Sequence, residues 1–293
     1  MPETVNRNYK DRLFRLVFRE KKDLLDLYNA IRGTNYTDTE ALEITTLEDV
    51  VYMKMKNDVS FLIHNILNLY EHQSTFNPNM ALRGLLYLSD EYRGYIAAEE
   101  LNLHSSKLMR IPMPQYFIFY NGLREVEERT VLPLSDAFIN QDAKGESCLE
   151  FKAIMLNINY GHNKELMEQC VKLKHYAQFV AKIREYLAQG LGIGEAARQA
   201  VDDCIKNGIL AEILSANRAE VLNLVLTEYD EESHIAGEKE ISYEEGYDKG
   251  YDKGESRMAN LYVKLQEDGR LEEYSKAVLD KEYLHRLYQE YDL

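Results

Sequence analysis

Cysteine is scarce in this sequence, and so are long apolar runs. Three cysteines, Cys148, Cys170 and Cys204, occur in 293 residues. They are odd in number, widely spaced and form no CxxC pair, so neither a disulfide framework nor a zinc site is predicted. No apolar run approaches the roughly 18 residues of a membrane-spanning helix. Residues 1–12 are polar and charged and contain no segment typical of a signal peptide. We therefore expect a reduced, cytoplasmic protein that does not cross a membrane.

Several familiar catalytic motifs are also missing. No arrangement resembles Ser-His-Asp or Cys-His nucleophilic chemistry. The glycine-rich stretch at residues 190–200 (GLGIGEAARQA) follows a helical pattern instead of a strand and has no Lys-Ser/Thr pair. It therefore predicts a helix–loop–helix connection, not a phosphate-binding P-loop.

Basic residues are outnumbered, with 35 Lys and Arg against 50 Asp and Glu, for a net charge of −15. Phosphate binding normally draws on Lys and Arg, so this balance argues modestly against tight DNA binding. The acidity is uneven, however. Residues 228–293 contain 19 acidic and 9 basic residues, while residues 1–227 contain 31 acidic and 26 basic residues.

The order of the hydrophobic patterns predicts an α/β domain around a mixed sheet. Amphipathic helical patterns at the N-terminus end at Gly33, and residues 42–56 favour strand. A hairpin follows, and then a helix from about Asn79 to Leu101, whose start is predicted from Asn77 as its cap and Pro78 as its first residue. Two apolar strands (QYFIFYNG and FKAIMLNINYG) and a helical region come next. We expect a core at residues 1–165, a helical extension at 166–230 packed on that core, and an acidic helical tail at 231–293.

The tail contains a YxxG repeat, with tyrosines and glycines each four residues apart. At helical pitch, Gly246, Gly250 and Gly254 form one ridge beside a tyrosine ridge. Small residues at this spacing allow helices to approach closely, which predicts a homo-oligomer assembled through the tail. The alternative is a flexible acidic linker, because each glycine costs a helix about 1 kcal/mol.

The predicted hairpin carries the residues with the most chemical interest. If His64 and Asn65 form its loop, paired positions sum to 129 and Asp58 lies opposite Glu71. Facing carboxylates repel each other, and a shared divalent cation relieves that repulsion. Gln73 is two residues beyond Glu71 and so lies on the same face. Metal-assisted phosphodiester hydrolysis suits such a patch; the alternative is a set of ordinary solvated acids at strand ends.

The segments NDVSFLI, LNLYEHQST and NPNMALR resemble the recombination-promoting nuclease and transposase family of bacteria, a branch of the PD-(D/E)XK superfamily. The resemblance implies a restriction-endonuclease-like mixed sheet flanked by helices, followed by a helical C-terminal region. It also implies a Mg²⁺- or Mn²⁺-dependent DNA endonuclease linked to recombination or mobile elements. Asp58 and Glu71 resemble the motif acids, with the His72 backbone carbonyl as a further metal ligand.

Gln73 takes the place of the superfamily's lysine, and it offers only neutral hydrogen bonds there. Transition-state charge then depends more on the metal and on Arg83, which either contacts phosphate or forms a plain salt bridge. Asp11 either supplies an additional acid or is a surface acid paired with a neighbouring base. The alternative function is a catalytically retired nuclease fold that acts as a DNA- or protein-binding regulator.

Overall fold

The computed structural model describes residues 12–45, 59–226 and 257–293, apart from residue 292. The chain divides into two compact units, Met1–Tyr229 and Asp230–Leu293. Within the described residues, the first unit contains a six-stranded mixed sheet with helices on both faces, and the second is helical. The predicted mixed α/β class with a helical C-terminal region is therefore confirmed.

The sheet has the strand order β1-β2-β3-β4-β6-β5. Strand β2 pairs antiparallel with both β1 and β3. Strands β3, β4 and β6 run parallel, and β5 pairs antiparallel with β6 at the far edge. The carboxyl ends of β3, β4 and β6 therefore meet at one edge of the sheet. The strands are β1 (Leu42–Ile44), β2 (Val59–Ile63), β3 (Ile66–Gln73), β4 (Met113–Tyr120), β5 (Arg129–Pro133) and β6 (Lys152–Asn157).

The predicted hairpin is confirmed, with its register. Ile63 pairs with Ile66 and Val59 pairs with Tyr70, so paired positions sum to 129. His64 and Asn65 have positive φ values of 47° and 59°. A two-residue hairpin loop needs this backbone at both positions because it matches the twist of the flanking strands.

Seven helices are described in the first unit, together with a helical stretch at residues 218–226. Helix α3 covers one face of the sheet, and the other six helices lie on the opposite face. The helices are α1 (Arg12–Val17), α2 (Lys21–Arg32), α3 (Met80–Ala98), α4 (Lys164–Gln169), α5 (Val171–Ala188), α6 (Ile193–Lys206) and α7 (Ala211–Ala216).

Side chains alternate between two cores because successive strand residues point to opposite faces. Phe61, Tyr70 and Phe119 belong to the larger core, under α1, α2 and α5. Leu69 and Ile118 belong to the smaller core, under α3. The central strand β4 is buried on both faces over its last five residues, as expected for a parallel strand flanked by helices.

Helix boundaries follow the sequence signals with one correction. Gly33 ends α2 in the left-handed region, at φ 64°, as predicted. The prediction that Pro78 is the first residue of α3 with Asn77 as its cap is wrong, since the helix begins at Met80. Asn77 instead accepts a hydrogen bond from the Asn79 backbone N–H at 2.9 Å, which closes a turn just before the helix.

The strand predictions are confirmed only in part. Of the strand predicted for residues 42–56, Leu42–Ile44 is observed, and residues 46–58 lie outside the described residues. Strand β5 is not among the predicted strands. It lies at an edge of the sheet and none of its five residues is fully buried, and its sequence RTVLP has neither a long apolar run nor an alternation of polar and apolar residues.

The second unit is a small helical cluster. Residues 257–267 are helical and are followed by α8 (Glu272–Leu279) and α9 (Lys281–Glu290). Leu261, Leu265 and Leu287 form its core. The Asp280 carboxylate caps α9 by accepting from two backbone N–H groups at 3.0 and 3.1 Å. The YxxG repeat lies outside the described residues, so its predicted helix contact stays a prediction.

Candidate functional site

Glu71 and Gln73 lie at the carboxyl end of β3, on the face that α3 covers. Their side chains share this face because they are two residues apart in a strand. Glu71 is only 1% exposed. A carboxylate removed from water to this extent requires charged or hydrogen-bonding partners. In open α/β sheets, the carboxyl ends of parallel strands are also where ligands commonly bind.

The Glu71 carboxylate accepts hydrogen bonds from Arg83, Gln73 and Tyr116. The Arg83 guanidinium and the Gln73 amide reach Oε1, at 2.5 Å and 3.2 Å. The Tyr116 hydroxyl donates to Oε2 at 3.3 Å. Both carboxylate oxygens are therefore engaged, and the negative charge of Glu71 is balanced by the guanidinium.

Arg83 forms a salt bridge with Glu71, which is one of its two predicted roles. The Arg83 side chain also donates to the Tyr87 hydroxyl at 2.9 Å. Burial is the largest single influence on the guanidinium and lowers its pKa, but the Glu71 carboxylate together with Tyr87 and Tyr116 outweighs burial, so the pKa is raised. Arg83 remains 31% exposed, so a group in solvent reaches the guanidinium without displacing the core.

His72 lies on the opposite face of the sheet, as its position between Glu71 and Gln73 predicts. Its Nε2 atom is 2.9 Å from the Tyr176 hydroxyl, and its ring stacks on Phe14 at 5.5 Å. The imidazole is fully buried in the larger core. It is therefore separated by the sheet from the Glu71 patch and is not a general base for chemistry there.

The His72 backbone carbonyl points toward the β2 side of β3. The Gln73 carbonyl accepts a hydrogen bond at 3.0 Å from the backbone N–H of Asn121, which directly follows β4. Successive carbonyls of a strand point in opposite directions, so the His72 carbonyl points away from β4. The last described β2–β3 pair is Val59 with Tyr70. The carbonyl thus lies beyond the last described rung of that ladder, which is compatible with its predicted role as a ligand.

Two predicted acids, Asp58 and Asp11, lie outside the described residues. The observed register stops at Val59, one residue after Asp58 in the chain. The structure therefore brings together three of the predicted side chains, Glu71, Gln73 and Arg83. Among the described residues, no group of three or more His, Cys, Asp or Glu side chains is arranged to hold a metal.

The sequence interpretation missed Tyr116 of β4 and Tyr87 of α3, which also contribute to this patch. Tyr116 is on the same face as Ile118, as strand alternation in β4 would have shown. Gly84 makes this possible, because a Cβ there would lie 2.4 Å from the Tyr116 ring. Arg83 and Tyr87 are four residues apart, a spacing that places both on one side of α3.

A buried acid on α3, Glu91, was also missed. It is 5% exposed, and the Ser60 hydroxyl of β2 donates a hydrogen bond to it. Burial raises the pKa of Glu91, since the carboxylate form is poorly solvated there. The spacing of four residues from Tyr87 to Glu91 is the sequence signal that identifies it as an inward-facing residue.

A second arginine lies near the carboxyl edge of the sheet. Arg184 of α5 donates to the side-chain oxygens of Asn159 at 2.7 Å and Asn121 at 3.1 Å, and to the Asn121 carbonyl. Asn121 directly follows β4. The polar edge therefore continues from Gln73 to the ends of β4 and β6.

No protein-family model, curated protein or solved structure matches this chain. Within the part of the chain that the structure describes, no helix is long and apolar enough to cross a membrane.

Proposed function

We propose that this protein is a metal-dependent DNA endonuclease with a restriction-endonuclease-like core, linked to recombination or mobile elements. The observation that carries the proposal is the constellation at the end of β3. It joins a buried acid, an amide on the same face and a partly exposed arginine: Glu71, Gln73 and Arg83. The sequence resemblance to PD-(D/E)XK nucleases assigns the same Glu71 and Gln73 to the reaction.

The proposed metal ligands are Asp58, Glu71 and the His72 carbonyl. This is a set of hard oxygen donors, which Mg²⁺ and Mn²⁺ prefer. The proposal extends the observed hairpin register by one residue, from the Val59–Tyr70 pair to Asp58 and Glu71. The donors thus fit a divalent cation in chemistry, and the ion would supply an activated water and stabilise charge on the phosphate.

Gln73 and Arg83 together supply the hydrogen bonds and the positive charge that a lysine would supply in this position. Gln73 is held by its hydrogen bond to Glu71, so its amide has a fixed orientation from which to position a water. Arg83 supplies the permanent positive charge that glutamine lacks. Because its side chain is partly exposed, the guanidinium can bind a phosphate oxygen while remaining next to Glu71.

Cleavage of supercoiled plasmid tests the proposal. Wild type is compared with Asp58→Ala and Glu71→Gln in Mg²⁺, Mn²⁺, Ca²⁺ or EDTA, with Glu127→Gln as an exposed acid control. We expect nicking by wild type and by the control, dependent on Mg²⁺ or Mn²⁺, and its loss in both site variants. Equal activity in all four proteins would mean that the site is misplaced or that a contaminating nuclease is present.

A second candidate is a retired nuclease fold that binds DNA or protein as a regulator. The observation in its favour is that Arg83, Gln73 and Tyr116 already satisfy the Glu71 carboxylate within the chain. Thermal unfolding separates the candidates, since a metal bound to the native state raises the melting temperature. A rise with Mn²⁺ that disappears in Asp58→Ala supports the nuclease; no rise and no cleavage support the regulator.

We also propose that the tail, residues 231–293, joins copies of the chain. Its YxxG spacing supports this assignment. Sedimentation equilibrium of the full chain tests it, with Gly250→Glu as the variant. Dissociation to monomer is expected, and an unchanged mass would reject the glycine ridge as the contact.

A further inference from the structure

A groove of about 340 Å³ lies where α2 ends and the neighbouring parts of β5, β6 and α4 meet. This volume falls within the range of small-molecule sites, about 300–1,000 Å³. Its lining belongs to the larger core's side of the sheet, because Leu156 is a member of that core. Glu71 lies on the other face, so the groove is separate from the patch described above.

Two arginines, Arg32 and Arg129, line the groove from opposite elements. Neither forms an ion pair with any residue of the described ranges, although Arg32 lies within hydrogen-bonding reach of the neutral Tyr28 hydroxyl. In a chain with a net charge of −15, carboxylates are abundant. Two arginines that share a groove and have no carboxylate partner among the described residues therefore leave positive charge available for an anion.

The rest of the lining indicates more than a simple anion site. Ile31 and Leu156 supply apolar wall, and Glu165 supplies a carboxylate. A carboxylate repels a bare phosphate, but it accepts hydrogen bonds from sugar hydroxyls, as acidic residues do in dinucleotide sites. The apolar wall suits a planar base. Arginines for a phosphate, a carboxylate for a sugar hydroxyl and an apolar wall for a base together match the three parts of a nucleotide.

One wall of the groove is held in place before any ligand binds. Asn163 has a left-handed backbone, at φ 43°, immediately before α4. Its side-chain amide donates to the carbonyls of Glu128 at 2.6 Å and Asn157 at 2.9 Å. Its backbone N–H donates to the Glu128 carboxylate. A preformed wall lowers the ordering cost of binding.

We propose that this groove binds a nucleoside monophosphate. Arg32 and Arg129 bind the phosphate through their forked guanidinium groups, which match its oxygen geometry. Glu165 accepts from a sugar hydroxyl, and Ile31 and Leu156 contact the base. The inference does not depend on the proposed nuclease, because the groove and the Glu71 patch lie on opposite faces of the sheet.

Isothermal titration of the full chain at low salt tests the proposal. The probes are AMP, GMP, CMP, UMP, the corresponding nucleosides and inorganic phosphate. The variants are Arg32→Ala and Arg129→Ala, with Arg110→Ala as a control of equal charge change outside the groove. All three arginines are exposed, so the substitutions leave the core intact.

At least one of the four nucleotides is expected to bind, and more tightly than its nucleoside or phosphate. Each groove variant should weaken that binding by about 10- to 100-fold, as for loss of a charged hydrogen bond, while Arg110→Ala leaves it unchanged. Glu165→Gln should weaken nucleotide binding but strengthen phosphate binding. No nucleotide binding, equal effects of all three arginine variants, or phosphate binding as tightly as the nucleotide would each overturn the proposal.

Discussion

Replacing Arg83 by glutamine should destabilise the protein, because it removes the guanidinium charge next to the buried Glu71 carboxylate. Glu71 is 1% exposed, and the hydrogen bond that it accepts from Arg83, at 2.5 Å, is shorter than those from Gln73 and Tyr116. Removing one partner of a fully buried ion pair costs about 3–5 kcal/mol. Because Arg83 is 31% exposed and the other two donors remain, we expect about 2–3 kcal/mol.

The loss should depend on pH in a defined direction. Burial favours the neutral form of a carboxyl group, so loss of the Arg83 charge moves the folded-state pKa of Glu71 upward relative to wild type. The stability lost with Arg83 is therefore smallest where Glu71 is protonated in both proteins, and it grows as the pH rises through the folded-state pKa of the variant. The deficit relative to wild type should be smaller in acid than at neutral pH.

Calorimetry or denaturant unfolding at several pH values measures this effect. For a unit of this size, about 2–3 kcal/mol corresponds to a fall in melting temperature of about 4–12 °C. Arg83→Gln combined with Glu71→Gln should cost less than the two single variants added together, because both charges are then absent. Arg110→Gln serves as the exposed control. A change within about 0.5 kcal/mol of wild type, with additive variants, would refute the reasoning.

Three other perturbations follow from the packing. Gly84→Ala should destabilise the protein by about 1–3 kcal/mol, because the new Cβ would lie 2.4 Å from the Tyr116 ring. Gly94→Ala in the same helix has open space around it and should instead stabilise the protein by about 0.5–1 kcal/mol. Equal effects of the two substitutions on the free energy of unfolding would contradict this prediction. Burial raises the folded-state pKa of Glu91, so its stability contribution is present below the unfolded pKa and is lost as the pH rises through the folded pKa. Glu91→Gln should therefore gain stability relative to wild type with rising pH in denaturant unfolding, and a pH-independent difference would exclude titration of this group. Tyr176→Phe removes the hydroxyl beside His72 and should lower the free energy of unfolding by about 0.5–1.5 kcal/mol in denaturant unfolding. Plasmid cleavage, if observed in wild type, should be unchanged in this variant. Loss of cleavage would link this face of the sheet to the reaction.

Local signals in the sequence were sufficient for the hairpin and most helices. A polar pair between two apolar runs predicted the His64–Asn65 loop, and the strand period then predicted the register and the shared face of Glu71 and Gln73. These features depend on neighbours a few residues apart. The same logic predicted that His72 points away from the patch.

The partners of Glu71 were decided by tertiary structure. Arg83 is 12 residues away and Tyr116 is 45 residues away in sequence. The close approach at Gly84 that accommodates the Tyr116 ring is visible only when α3 is packed on β4. Sequence left the role of Arg83 open between phosphate and salt bridge, since either follows from its position on the helix.

Edge structure and grooves depend on packing in the same way. Strand β5 is specified by its pairing with β6, not by its own apolar pattern. Arg32 and Arg129 are 97 positions apart in the numbering and line one groove only because the end of α2 lies beside the β5 edge. The sequence by itself thus determined the elements and the faces of their side chains, through short-range periodicity. Which side chains meet across elements was decided by the fold, because those contacts depend on how whole helices and strands pack.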